Sequence, residues 1–213
     1  LWRVPFKTGA NRNVLTPVLD GGDHVLFASY TTGLRRVAVK AEGSKVQAAQ
    51  VWLNPALKIN LATPVLVGRH LYGHGPDKDF VCVEADTGTI RWRQTGFNQY
   101  ASTIASETRL LVLNDAGEVL LLEANPDRYR ELGRFQACGK TFCHPAYAHG
   151  VLYTRDSREL AAWPLKSRFC VRSVLVSKSP IGIVWPSTVA SLNCTSCSFL
   201  TEVSASLLAW VRS

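Results

Sequence analysis

The chain has 213 residues, 46% of them hydrophobic, 19% charged and none of them Met. This is a globular composition, long enough for one sizeable core, and it excludes a disordered chain. The formal net charge is +8, but Arg and Lys are scattered through strand edges and turns with no run of five, so charged edge protection is expected rather than a nucleic-acid partner.

In chain order, the first element is Leu1-Trp2-Arg3-Val4, which already reads as strand. With no Met in the chain, this opening predicts that a portion lies upstream, where a signal region and further repeats would also lie. A unit then comes round four times: Thr16-Pro17-Val18-Leu19 with Val25-Leu26-Phe27, Thr63-Pro64-Val65-Leu66 with His70-Leu71-Tyr72, Ser102-Thr103-Ile104-Ala105 with Arg109-Leu110-Leu111, and His144-Pro145-Ala146-Tyr147 with Val151-Leu152-Tyr153. Counted at the Pro column (17, 64, 103, 145), the steps are 47, 39 and 42 residues. Each unit continues into a third strand, Leu34 to Val39, Phe80 to Glu84, Val119 to Glu123 and Leu160 to Trp163, after a turn rich in Gly, Asp or Ser. A further hairpin follows in copy two, through Ala85-Asp86-Thr87-Gly88 into Thr89-Ile90-Arg91-Trp92-Arg93. Such turns supply hairpin conformations, and turn signals every 8–12 residues predict short antiparallel strands. A period near 40 built this way predicts an all-β partial β-propeller of about four four-stranded antiparallel blades, over residues 1–167, whose blades must stack to bury their faces.

No stretch approaches the ~20 apolar residues of a membrane-spanning helix, so no transmembrane segment is expected. The segment 168–213 departs from the pattern, with ten Ser, no Asp, a single Glu202 and a single Gly182. It is read as an atypical, irregular tail, either not native coding sequence or a lineage-specific extension. An in-frame stop near codon 167 in a resequenced locus would decide for the former.

The Glu84 to Trp92 stretch resembles the repeat of PQQ-like (quinoprotein-type) β-propellers, whose units end in Asp-x-x-Gly-x-x-x-Trp. Gln50-Val51-Trp52 is a second such ending, and Gly139-Lys140-Thr141-Phe142 through Leu165 resembles the last blade of the bacterial branch. In that family the motif Trp docks one blade on the next. Copy three departs, placing Glu131 where the Trp would fall. The resemblance covers about residues 10–166. It implies the C-terminal portion of a propeller, with remaining blades outside this chain, exported to the periplasm or cell surface and acting as a non-catalytic scaffold for a protein partner. The alternative it implies is a fragment of a PQQ-dependent dehydrogenase holding PQQ with calcium. Quinoprotein alcohol dehydrogenases use two adjacent Cys and acidic calcium ligands, and no Cys pair here is adjacent, so no cofactor is expected. An intracellular interaction propeller is a third reading.

No Gly-x-Ser-x-Gly, phosphate loop or His-Glu-x-x-His occurs, so no catalytic residue is nominated. Cys194-Thr195-Ser196-Cys197 has zinc-like spacing without two further ligands nearby, Cys82 reads as core, and Cys138 and Cys143 are open to a loop disulfide or to free thiols. His74 could meet Asp77 and Asp79 around a metal, although Asp-rich turns arise for conformational reasons alone. Two polar columns remain. Asn13, Asn60, Gln99 and Thr141 stand four before the Pro column, and Thr16, Thr63, Ser102 and His144 stand one before it, with apolar Val14, Leu61, Tyr100 and Phe142 between. If the first strand of each blade lines a central channel, these eight residues ring its mouth, either to bind a small polar ligand or a protein segment or to satisfy strand-end backbone groups. Open blade faces predict that the isolated chain aggregates or needs the rest of the chain.

Overall fold

The computed structural model describes residues 2–9, 14–43 and 45–165. The expectations for the tail, for Asn13 and for the Cys194–Cys197 pair lie outside these residues. Among the described residues fifteen strands fall into four antiparallel meanders. Blade 1 holds β1 (Val18–Asp20), β2 (His24–Ser29), β3 (Gly33–Glu42) and β4 (Lys45–Asn54). Blade 2 holds β5 (Val65–Val67), β6 (His70–His74), β7 (Asp79–Glu84) and β8 (Ile90–Thr95). Blade 3 holds β9 (Ala101–Ala105), β10 (Arg109–Asn114), β11 (Glu118–Glu123) and β12 (Glu131–Gln136). Blade 4 holds β13 (Ala146–Ala148), β14 (Val151–Arg155) and β15 (Leu160–Pro164). The partial propeller expected from the repeat is thus present, with three strands in blade 4 among the described residues.

Strand alternation decides which neighbour each side chain meets. Tyr72, Phe80 and Cys82 of blade 2 pack with Leu110, Val112, Leu120 and Leu122 of blade 3. The intervening Leu71, Val81 and Val83 turn the other way and pack with Leu26, Ala28 and Leu34 of blade 1. Leu111, Leu113, Val119 and Leu121 of blade 3 then meet Leu152 of blade 4. Each blade therefore has a forward face and a backward face, both apolar. Neither face is buried by its own blade, which is why the strands read as near-continuous hydrophobic runs.

Ladder pairing corrects the sequence register at two places. The residue after the Pro column, Val18 in blade 1 and Val65 in blade 2, pairs with Leu26 and Tyr72 respectively. The longer Asp20 to Asp23 turn thus shifts blade 1 by one residue against the motif alignment. Leu26 takes the forward place of Tyr72, and Val25 and Phe27 fall on the backward face. A one-residue slip exchanges faces. In blade 3, Gly133 stands opposite Leu121, as Trp92 stands opposite Cys82 and Trp52 opposite Arg36. The Trp position there belongs to Gly133 rather than Glu131, because the 124–130 turn is longer. In all three complete blades a register shift immediately precedes this position, leaving Val51, Arg91 and Leu132 as extra residues on the outer strand. Such bulges bend and twist an edge strand and make it a poorer template for foreign pairing.

Candidate functional site

Antiparallel topology puts the inter-blade connections and the starts of the inner strands β1, β5, β9 and β13 at one end of the blades. The described members of the predicted polar columns lie there. The column one before the Pro position is joined in pairs across blades. The Thr16 amide donates to Thr63 Oγ1 at 2.9 Å, linking blades 1 and 2. Ser102 Oγ lies 2.5 Å from His144 Nδ1, linking blades 3 and 4. Ser102 is buried and His144 is exposed. The other column is not brought together. Thr141 is buried and closes its own loop: its hydroxyl donates to the Arg155 carbonyl at 2.7 Å and accepts from the Cys143 amide at 3.0 Å. Gln99 is exposed and Asn60 is half-buried.

The intervening apolar column divides, and its sequence pattern concealed this. Tyr100 is buried, 2% exposed, while Phe142 is 52% exposed and Val14 55% exposed. Phe142 and His144 flank Tyr100, with ring centroids 5.7 Å and 6.1 Å away. Burial pushes the Tyr100 phenol above its ordinary value, with Ser102 opposing. An aromatic and imidazole patch therefore stands at this end of blades 3 and 4, with exposed Gln99 on the connection leading into β9. Its chemistry suits an apolar side chain with a hydrogen-bonding group beside it, the common make-up of a protein-binding patch.

His74, Asp77 and Asp79 do not converge on a common point. His74 Nε2 faces the Asn98 carbonyl at 3.3 Å, while Arg93 Nη1 binds Asp77 Oδ2 at 3.0 Å and Asp79 Oδ2 at 2.9 Å. Burial holds the His74 imidazole below its ordinary value, against the pull of the Asn98 carbonyl and the Asp79 and Asp115 carboxylates. Among the described residues no three His, Cys, Asp or Glu side chains gather as metal ligands. Cys82, Cys138 and Cys143 are free thiols. Cys82 lies fully in the core, where burial raises its thiol to about 11.

At the seams, Trp52 Nε1 donates to the Ala85 carbonyl at 3.0 Å and Trp92 Nε1 to the Asn125 carbonyl at 2.9 Å, so each Trp docks its blade on the next. Gly88 has φ of +73° and lies under the Trp52 ring; a Cβ there would come within 2.7 Å of the ring. Trp163 points the other way, to the Ala137 carbonyl at 3.1 Å and Thr154 Oγ1 at 3.1 Å, packing blade 4 back on blade 3.

No curated protein matches this chain. Residues 3–94 match the PQQ-like repeat model described as outer membrane protein assembly factor BamB. Among matching solved structures, BamB from Moraxella catarrhalis is 14% identical with a TM-score of 0.50, over 72% of this chain. The match spans 58% of that structure's chain. No helix among the described residues is long and apolar enough to cross a membrane. The match of the repeat model to residues 3–94 and the likeness to a solved propeller thus agree with the four meanders: the described residues up to Leu165 have the fold of a partial β-propeller.

Proposed function

We propose that this chain is a non-catalytic propeller scaffold of the bacterial periplasm or cell surface that binds a protein partner at the mouth of its inner strands. The observation that carries this reading is the exposed Phe142 and His144 flanking buried Tyr100, set on a frame whose buried polar neighbours hold blades and loops together. Binding residues placed on loops over a rigid scaffold are a recurrent arrangement. The similarity to an outer membrane protein assembly factor supports a partner from the cell envelope.

A photo-crosslinking residue at position 142, exposed to an envelope fraction, should capture a discrete partner that the same residue at exposed Gln47 does not. Phe142→Ala should lower co-purification of that partner by about tenfold, as for a central apolar anchor. Equal capture at both positions would remove the reading. Addition of PQQ and calcium, read by cofactor absorbance and dye-linked alcohol oxidation, tests the quinoprotein alternative; binding at micromolar cofactor would favour it over the scaffold.

A further inference from the structure

The outer strands of the three complete blades differ in length and charge. β8 and β12 have six residues each, and β4 has ten. The two short strands carry charge along the open edge, Arg91 and Arg93 in β8 and Glu131 and Arg134 in β12. β4 carries none after Lys45. Its remaining residues read Val46-Gln47-Ala48-Ala49-Gln50-Val51-Trp52-Leu53-Asn54, with Val51 48% and Leu53 41% exposed. Charge, brevity and bulges keep an outer strand from pairing with foreign chain. β4 has its bulge at Val51, and its ladder is uninterrupted from Gln50, opposite Val37, to Lys45, opposite Glu42.

Part of this strand also lacks support from its own blade. β2 pairs with β3 only as far as His24 opposite Ala38. Past that point residues 39–42 and 45–48 pair with each other alone among the described residues, as a two-stranded ribbon beyond the end of the blade. Such a ribbon is marginal in water, and three or more strands are needed for independent stability. Its pairing sorts the side chains. Val39 and Ala41 share one face with Ala48 and Val46, and Lys40 and Glu42 share the other with Gln47 and Lys45. Blades join through their faces, as the seams show, so the outer edge of β4 stays open whatever blades adjoin.

We propose that the outer edge of β4 pairs antiparallel with the same edge of a second copy of this chain, about a two-fold axis. Side chains opposite each other must share a face, so the axis passes through a residue and its own copy. The bulge at Val51 and the turn before Lys45 confine regular pairing to residues 46–50, whose centre is Ala48. Val46 then stands opposite Gln50, Gln47 opposite Ala49, and Ala48 opposite its copy. Small, uncharged side chains at the axis let the two backbones approach. The two Lys45 side chains stand six residues apart, about 20 Å, where salt screens them. The same pairing of two β8 or two β12 strands would bring like arginines, Arg93 or Arg134, near one another. In the β4 pairing the two ribbons become one four-stranded sheet, β3 and β4 of each copy, and each ribbon lies along the blade of the other. Backbone pairing supplies the affinity. The contact is separate from the mouth of the inner strands.

A photo-crosslinking residue in place of exposed Gln50, in the full chain at micromolar concentration, should join two copies, with the adduct on residues 45–48 of the second. Ala49→Lys or Ala49→Glu, each at an exposed position, should lower the yield of that adduct by about tenfold, since like charges then face each other across the axis. Mixing the Lys and Glu variants should restore it, which shows that both remain folded. An adduct absent at every concentration would overturn the proposal. So would an adduct on residues 166–213 or on a blade face, a yield indifferent to the charge at position 49, or a loss that mixing does not restore.

Discussion

The seam between blades 1 and 2 and the seam between blades 2 and 3 share a backbone plan and one tryptophan hydrogen bond, but different chemistry fills them. The first carries an ion network with a buried inner pair and a half-exposed outer pair. Asp20, at the end of β1, lies 2.8 Å from Arg36 Nη2 and 2.7 Å from Arg69 Nη1, and Asp86 lies against both arginines. The second carries an aromatic cluster, with Trp92 ringed by Tyr72, Phe80 and Tyr129, and Phe97 stacked on Phe80 at 5.0 Å. The repeat thus specifies the docking bond and the apolar alternation, while the remaining volume of each seam accepts either charge pairs or rings. The two solutions respond differently to truncation, salt and pH.

The largest effect is expected in the aromatic seam. Trp92→Ala removes a half-buried indole and its bond to the Asn125 carbonyl, and should cost about 3–5 kcal/mol in urea unfolding. A loss under about 1 kcal/mol would mean that the rings around it repack without a cavity. Next comes Asp20→Ala, which leaves the Arg36 guanidinium, 8% exposed, with the half-exposed Asp86 as its remaining carboxylate. Removing one member of a buried pair costs about 3 kcal/mol or more. The loss should change little with added salt, since buried pairs are weakly screened. Gly88→Ala tests the bond the two seams share. It combines a left-handed φ with a clash against Trp52, and should cost about 2 kcal/mol. The mirrored position in the second seam is the longer 124–130 turn, so no single glycine there has the same sensitivity.

The contrast also separates what could be read in the sequence from what could not. Trp52, as the close of Gln50-Val51-Trp52, and Trp92, after its Asp86-Thr87-Gly88 hairpin, were legible because docking demands a tryptophan near the end of each unit. The ion network was not, since Asp20, Arg36, Arg69 and Asp86 come from four different turns and strands, and only the folded seam assembles them. The register of blade 1 was misread because Leu and Phe are equally apolar, and only the one extra residue in the paired turn causes the slip. Likewise Gly133 carries no signal of standing in a tryptophan column. At the mouth, the eight polar residues were visible as columns. Whether each bonds a neighbouring blade, as Ser102 does, or its own loop, as Thr141 does, depends on side-chain reach that spacing does not encode. The exposure of Phe142 against the burial of Tyr100 in the same column depends on the same three-dimensional detail.

Acid should weaken the side of blade 2 that meets blade 3. His74 is buried beside the Asn98 carbonyl, and its imidazole is held below the ordinary value of 6.5. The unfolded chain then binds the proton more readily than the folded one. The contribution of the neutral ring is complete above the unfolded value and erodes as pH falls through it, levelling off below the folded value. His74→Gln, which keeps a donor toward Asn98 and does not titrate, should flatten the stability profile between about pH 7 and pH 5. A profile unchanged by the substitution would assign the acid loss to carboxylates instead.

The smallest effect belongs to the outer part of the ion network and distinguishes it from the inner part. Asp86 is 46% exposed and Arg69 50% exposed. Their hydrogen bond holds the Asp86 carboxyl below the usual carboxylate range, with Arg36 adding to it. That stabilisation is present above the unfolded carboxyl value and is lost as pH falls through the lower folded one. An exposed pair is worth less than about 1 kcal/mol, so Asp86→Ala should cost a few tenths in low salt and nothing measurable in high salt. Asp20→Ala should keep its full cost in both. If the two variants showed the same salt dependence, Asp20 would be as well solvated as Asp86, and the first seam would be held by its apolar face and tryptophan alone.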